Sequence, residues 1–420
     1  MHATERQRNW AGTYEYGAAG ILSPGSVAEL QEIVAATERV RAIGTRHSFN
    51  DVADGPGTLI DTTGLPADLE IADDRRSVTV SGGIRYGALA VELETAALGL
   101  HNMGSLPHIS VGGATATGTH GSGTALGSLS TAVRGLEIVG TDGALRRIER
   151  GQPDFDGSVV ALGALGIVSR VTLDVQPSFR MRQDVYTDLP WAALDGDGLR
   201  AIMASGYSVS LFTTWGPEPL RVWLKTRIPE GEADVSMPEI LFGATRQPRA
   251  AAPDNNITAM DGTVGPWSDR LPHFRVESTP SIGEEIQSES FIDVERAGAA
   301  LEAVRALGER IRPHLGASEL RTVAADDLWL GETQGRESLC IAFTWRRHPE
   351  PVRDLIVEIE RVLAPFTPRP HWGKMSSFGR DDIESFYPRM RDFRSLVTRH
   401  DPGGKFRGPY LERMVMPDSV

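Results

Sequence analysis

The chain has 420 residues, 40% hydrophobic and 24% charged, which excludes a disordered or fibrous protein and suits roughly two or three domains around a large core. A net charge of −13 without any Lys/Arg block excludes nucleic acid as a partner. The single cysteine, Cys340 in "SLCIAFTW", excludes an internal disulfide and a cysteine-based metal cluster, and no apolar run approaches membrane-spanning length. The first stretch, "MHATERQRNWAGTYEY", lacks the apolar core of a signal peptide, so a cytoplasmic location is expected. Basic charge is almost all arginine; Lys225, Lys374 and Lys405 are the only lysines.

In chain order, "SVAELQEIVAATERV" predicts a helix over Ser26 to Val40, with Ser26 as its N-cap. "RAIG" and "GTLIDTTGL" read as short strands. "SVTVSGGIRYGALAVELETAALGL" reads as a strand, a Gly-Gly turn and a helix from Tyr86. "GLEIVGTDGALRRIER" predicts a hairpin turning at Asp142-Gly143, and "LGIVSRVTLDVQP" a further strand. From about Ser178 to Phe366 longer alternating runs, such as "SVSLFTTW" and "LCIAFTWRR", alternate with helical stretches at "AGAALEAVRALGERI" and "VRDLIVEIERVLAPF". This predicts an α+β domain, an antiparallel sheet covered on one side. "IPEGEADVSMPEI" and "RQPRAAAPDNNITAMDGTVGP" read as irregular excursions, and the tail carries a helix over "DIESFYPRMRDFRSLVTRH".

Two stretches carry chemistry. In "RAIGTRHSFN" a strand ends on Gly44 and delivers His47, either a satisfied loop residue or a reactive one. "NMGSLPHISVGGATATGTHGSGTALGS" is a run of small residues whose exposed backbone N–H groups suit a pyrophosphate. It has no Gly-Lys-Ser/Thr and does not follow a strand as G-x-G-x-x-G, which disfavours a P-loop and a Rossmann fold. Together "IGTRHS" and "GATATGTHGS" point to one large cofactor with a pyrophosphate in its middle. His101, His108 and His120, spaced by seven and twelve, match no metal-ligand pattern, so no metal is expected. Glu319 and Arg321 in "SELRTV" share one face of a strand and offer an acceptor and a planar donor to hydroxyls; Ala342 and Thr344 form a second such pair.

From "NWAG" at Asn9 almost to the C-terminus, the chain resembles the alditol oxidase and sugar-lactone oxidase branch of the vanillyl-alcohol-oxidase type flavoproteins. The matches are "GTRHSFND", "GGIRYGALA", "NMGSLPHISVGGATATGTHGSG", "LGALGIV", "GYSVSLFTTW", "GPWSDRLPHFR", "ELRTVAADDLWL", "FTW" and "RPHWGK". The resemblance implies a two-part FAD-binding domain over 1–176, an α+β substrate-capping domain with an antiparallel sheet over 177–370, and a segment over 371–420 that returns to the FAD domain. It implies FAD attached covalently through His47. Ile43, Gly44, Thr45, Arg46 and Ser48, with Ser105, Ser110 and Gly113, are the implied flavin neighbours. Thr117, Gly118, Thr119, His120, Ile167 and His371 complete that set. Lys374, Ser105, Glu319 and Arg321 are implied as catalytic, and with Thr344 as substrate-binding.

The implied reaction oxidises the primary C1 alcohol of a polyol such as xylitol or sorbitol and reduces O₂ to H₂O₂. Gly104, before Ser105, is implied to leave a path for O₂. The sequence departs from the family at Ala342, where the pattern has a histidine two residues before the threonine of "FTW", and at Gly408, where it has an asparagine. The expected enzyme is a cytoplasmic monomer with a small-molecule substrate. The alternatives are a sugar 1,4-lactone oxidase and, from another class, a non-catalytic carbohydrate-binding flavoprotein.

Overall fold

The computed structural model describes residues 7–248, 256–278 and 284–416. Its N-terminal part opens with β1 (Gly20–Leu22), α1 (Val27–Ala36), β2 (Val40–Ile43) and β3 (Thr58–Asp61), the strands forming a parallel sheet in the order β1-β3-β2. Ser26 caps α1 as expected, its side chain accepting from the Glu29 N–H. The helix is shorter than the predicted 26–40: Thr37 turns extended, and the β-branched Val40 already pairs with Thr58 in the ladder.

A second sheet is antiparallel: β4 (Leu69–Ile71), β5 (Ser77–Ser81), β6 (Val133–Val139), β7 (Leu145–Glu149) and β8 (Ile167–Asp174), in the order β4-β5-β8-β6-β7. The β6–β7 hairpin turns at Gly143, whose φ of +79° suits a residue without Cβ. Two helices, α2 (Tyr86–Thr95) and α3 (Val111–Ala116), lie between β5 and β6 in sequence. Helix α3 starts inside the glycine-rich run, so that run is a loop, a short helix and a second loop.

The capping part is built on a ten-stranded antiparallel sheet. Its six long strands are β9 (Arg180–Leu189), β10 (Ser208–Phe212), β11 (Leu220–Arg227), β12 (Glu285–Asp293), β13 (Leu315–Val323) and β14 (Ser338–Arg346). They run in the order β9-β11-β10-β13-β14-β12, with short strands at both edges. Helices α4 (Ala297–Arg305) and α5 (Pro349–Leu363) cover one face, burying Leu301, Val304, Leu355 and Ile359 against Leu320 and Ile341. Each such side chain contributes about 1.5–3 kcal/mol by leaving water. Strand alternation then sends Glu319, Arg321, Ala342 and Thr344 to the other face. Residues 249–255 of the second irregular excursion lie outside the described residues.

The single helix predicted in the tail is two, α6 (Arg380–Phe386) and α7 (Met390–His400), followed by α8 (Pro409–Met414). Pro388 has no N–H to continue the ladder, and Tyr387 before it is extended at φ −114°, ψ 98°. The tail packs Ile383, Phe393, Leu396 and Leu411 into the same core as Val78, Leu89 and Val171 of the N-terminal part. Lys405 Nζ donates to the Val34 carbonyl at 2.7 Å, and Arg41 Nη1 donates to the Phe406 carbonyl at 2.8 Å. Among the described residues no helix is long and apolar enough to cross a membrane.

Candidate active site

A cavity of about 700 Å³ lies between the N-terminal loops and the open face of the capping sheet. One end is walled by backbone and small side chains: Gly44, Thr45, Ser110, Gly113 and Thr117 all line it. The fit is tight. A Cβ on Gly44 would lie 2.1 Å from Ser110 Oγ, and the Ser110 N–H already donates to Thr45 Oγ1 at 3.2 Å.

His47 enters this end from a strained turn, since Arg46 before it has a φ of +62°. Its ring stacks on Trp10 with centroids 4.9 Å apart, and neither ring nitrogen, both buried, has a hydrogen-bond partner. Burial, then the cations Lys374 and Arg85, push its pKa down to about 3. The imidazole is therefore neutral at any working pH, which keeps it nucleophilic.

The same turn is bolted to the tail. The Phe49 N–H donates to the Gly373 carbonyl at 2.7 Å, and Asn50 Nδ2 donates to the Trp372 and Lys374 carbonyls at 2.8 Å each. Lys374 is thereby brought toward His47 from more than 300 positions away in sequence. Its Nζ donates to Gln287 Oε1, lies 3.7 Å from Glu289 Oε1 and sits 4.9 Å above the Phe49 ring.

The other end of the cavity is walled by side chains in register. One row across four strands reads Phe212, Glu319, Ala342, Glu289, all lining the cavity; in the row beside it, Ser210, Arg321, Cys340, Phe291, Arg321 lines it. Arg321 Nη1 donates to Ser105 Oγ at 3.2 Å, while its Nε and Glu319 Oε1 have no hydrogen-bond partner in the chain. Burial opposes the Arg321 charge, but Glu319 and Glu289 outweigh it and raise its pKa. Ser105 is pinned where it is needed, its carbonyl accepting from the His273 and Phe274 N–H groups at 3.0 and 3.1 Å.

Of the residues singled out in sequence, Ile43, Gly44, Thr45, Arg46, His47, Ser48, Ser105, Ser110, Gly113, Thr117, Thr119, His120, Glu319, Arg321, Thr344, His371 and Lys374 line this one cavity. Two do not. Ile167 is fully buried in a separate cluster with Leu30 and Val34, and Gly118, at φ +69°, backs onto the Glu332 carboxylate. Gly408 also lies off the cavity, its Cα packed against the Asp54 carbonyl.

The three histidines do not gather. His101 Nε2 meets the Ser128 carbonyl at 3.3 Å and His108 Nε2 the Val276 carbonyl at 3.1 Å, whereas His120 faces Glu289. Cys340 lies directly behind the wall, its Sγ 3.8 Å from Glu289 Oε2.

Sequence reasoning missed Glu285, Gln287 and Glu289, which line the cavity from β12. In "EIQSESFID" they alternate as a solvent-facing strand edge would, so only the closed cavity marks them. It also missed Phe212, Trp223 and His273 in the wall, and the buried Lys225, whose pKa falls to about 7 through burial.

Residues 18–149 match the FAD binding domain family, and residues 284–414 match the D-arabinono-1,4-lactone oxidase family. The chain is 41% identical to the alditol oxidase of Streptomyces sp. (strain IKD472 / FERM P-14339), over 97% of this chain and 98% of the relative. It belongs to the alditol oxidase and sugar-lactone oxidase branch of the vanillyl-alcohol-oxidase type flavoproteins. An L-gulono-1,4-lactone dehydrogenase of Mycobacterium tuberculosis is 30% identical over 97% of this chain and 99% of its own length. Among solved structures, cholesterol oxidase from B. sterolicum superposes with a TM-score of 0.78 at 17% identity, covering 98% of this chain and 96% of its own, a likeness of fold alone.

As a member of this branch the protein is an FAD-dependent oxidase. The residues present fit that cofactor. Glycines close enough to exclude a Cβ line the small-residue end, and a neutral histidine without a partner stands beside them.

Proposed function

We propose that the enzyme oxidises the primary C1 alcohol of polyols of the xylitol and sorbitol type to the aldose, with FAD joined covalently to His47. FAD, when bound, supplies the two-electron oxidant and returns the electrons to O₂ as H₂O₂. The observation that carries the reading is unused hydrogen-bonding capacity: Glu319 Oε1 and Arg321 Nε, an acceptor and a donor beside Ser105, make no hydrogen bond in the chain, only loose ion-pair contacts of 3.6 Å to His273 Nε2 and 3.7 Å to Glu319 Oε2. A buried polar atom left unpaired costs about 1–3 kcal/mol, so a row of hydroxyls is the complement this wall calls for.

The roles follow from position. Arg321 and Glu319 hold adjacent hydroxyls, and Thr344, on the neighbouring row, extends the polar track. Lys374 places a cation near the reacting hydroxyl, where it stabilises developing alkoxide character. Ser105 orients the end of the chain that reacts. The alditol oxidase of Streptomyces sp. supports the polyol assignment.

A sugar 1,4-lactone oxidase is the second reading, supported by the family match over 284–414 and by a methyl at Ala342, which leaves room for a ring. A peroxide assay across polyols and 1,4-lactones separates the two. Turnover of xylitol or sorbitol with lactones inert supports the proposal, and the reverse pattern overturns it. The proposal includes a monomer in the cytoplasm, the reducing location that a single free, buried thiol suits.

A further inference from the structure

Glu289 occupies the centre of the cavity wall without a role in the reading above. It is 8% exposed and is faced by charge from every side. Arg321 Nη2 on β13 lies 3.6 Å from its Oε1, and Lys374 Nζ on the C-terminal loop lies 3.7 Å from the same atom. His371, on that loop, donates its backbone N–H to the Glu289 carbonyl at 3.2 Å. Cys340 on β14 and His120, from the loop after α3, lie against Oε2 at 3.8 and 3.1 Å. The carboxyl of Glu332, buried farther back beside His371, feels the Glu289 charge.

The contact with His120 poses a proton problem. Its Nδ1 is 2.8 Å from the Gly121 carbonyl, which only accepts, so Nδ1 carries a hydrogen. In a neutral ring Nε2 would then turn a lone pair toward the carboxylate. Burial, and then Arg321, favour a neutral His120. Against burial, Lys374, His120, His371 and Arg321 hold Glu289 ionised. Both conditions together would leave a buried 3.1 Å contact with no hydrogen in it. A buried contact of 3.1 Å calls for one proton between the two atoms.

We propose that Glu289 is a positioning residue, sharing that proton with His120 through Oε2 while Oε1 holds Lys374 and Arg321 where the substrate hydroxyl binds. At 3.6 and 3.7 Å from the two cations Oε1 acts by charge rather than by a hydrogen bond, so it centres both without saturating their donors. The N–H groups that Lys374 does not give to Gln287 and Arg321 does not give to Ser105 stay available for substrate. This inference rests on the assignment of Lys374 and Arg321 to the reacting hydroxyl.

Glu289→Gln in the holoenzyme tests it. The glutamine amide donates to the His120 Nε2 lone pair and keeps an oxygen toward Lys374, so fold and flavin content should survive while the charge and the shared proton are lost. With whichever alcohol the peroxide assay identifies, kcat should fall about 10²-fold, the scale of a misplaced catalytic group. KM should move far less, and the pH profile should lose the limb that titrates this pair. Glu289→Asp should recover part of the rate. Proton NMR of the wild-type holoenzyme should show one strongly deshielded, solvent-protected resonance that is missing in the variant.

Wild-type kinetics and pH profile in Glu289→Gln overturn the proposal. So does the absence of that resonance in the wild type, which decides alone should the variant not fold. The resonance needs no substrate, so a wrong polyol assignment leaves this part of the test standing.

Discussion

The two ends of the cavity are built by opposite means. The small-residue end is made of stretches local in sequence, residues 44–48 and parts of 104–120, the second running through helix α3, which present mainly backbone and small side chains to the cavity. The other end is made of single residues on separate strands, Phe212, Glu319, Ala342 and Glu289, brought into one row by sheet register. A backbone cradle tolerates most side-chain changes and fails when a glycine is lost. A register row presents one side chain per strand, so a single substitution, at Ala342 for example, changes what it offers a ligand.

The comparison is broken most severely at Lys374, which joins the two ends. Lys374→Ala should lower kcat by roughly 10²-fold or more, since a preorganised cation near a developing alkoxide typically supplies about 3–4 kcal/mol. Stopped-flow reduction of the flavin reads this directly. A change confined to KM would mean that Lys374 only holds substrate.

On the flavin side, His47→Ala should leave the loops able to hold FAD without a covalent bond. After acid precipitation the yellow colour should stay with wild-type protein and move to the supernatant for the variant, with substrate oxidation slower by about tenfold, or roughly 1.4 kcal/mol in the barrier. Colour in the wild-type supernatant would refute the covalent link.

Gly104 tests access rather than binding. A Cβ there would meet Thr119 Cγ2 at 3.5 Å and Ile109 Cδ1 at 3.6 Å, ordinary contacts, so Gly104→Ala fits without displacing the loop. Reoxidation of reduced flavin by O₂ should slow while reduction by substrate is preserved, and Gly104→Pro should deepen the contrast. Equal losses in both half-reactions would remove Gly104 from any role in O₂ access.

Ala342→His sharpens the substrate end. It places an imidazole between Glu319 and Glu289, adding a hydroxyl partner worth about 0.5–1.5 kcal/mol. KM for xylitol or sorbitol should drop roughly 2- to 10-fold with kcat little changed, since each 1.4 kcal/mol is a factor of ten. Loss of turnover would point to a larger substrate or a lactone.

The smallest effect concerns Lys225, whose Nζ donates to the Leu271 carbonyl and to that of Pro272 at 3.4 Å. Burial, only partly offset by Glu319, lowers its pKa from the ordinary 10.5 to about 7. Below about pH 7 both folded and unfolded chains carry the charge, and the folded chain bears the full burial cost. Above it the folded lysine sheds its proton while the unfolded one keeps it, so stability rises toward pH 10.5. Between pH 7 and 9 the Tm of the wild type should gain on that of Lys225→Met by a few degrees. Parallel curves would place the amine in a better-solvated position than its burial implies.

Legibility followed the same division. The helix cap at Ser26, the hairpin at Gly143 and the two small-residue loops are local chemistry, carried by residues next to one another, and each could be read in order. The helix end at Ala36 and the break at Pro388 show the limit: a periodic apolar pattern runs on where a strand partner or a missing N–H stops the helix. The Glu319–Arg321 pair was readable because strand alternation puts i and i+2 on one face.

The sequence by itself determined which small-residue segments line one end of the cavity, which histidine stands among them and that Glu319 and Arg321 share a face, because these depend on neighbours in the chain. Only the tertiary structure decided that Glu289 lies between His120, Arg321 and Lys374, that Cys340 sits behind them, and that Ile167 and Gly118 turn away from the cavity. Those facts depend on strand register and on the docking of residues 371–374 against Phe49 and Asn50, contacts that close over hundreds of residues and leave no periodic trace in the chain.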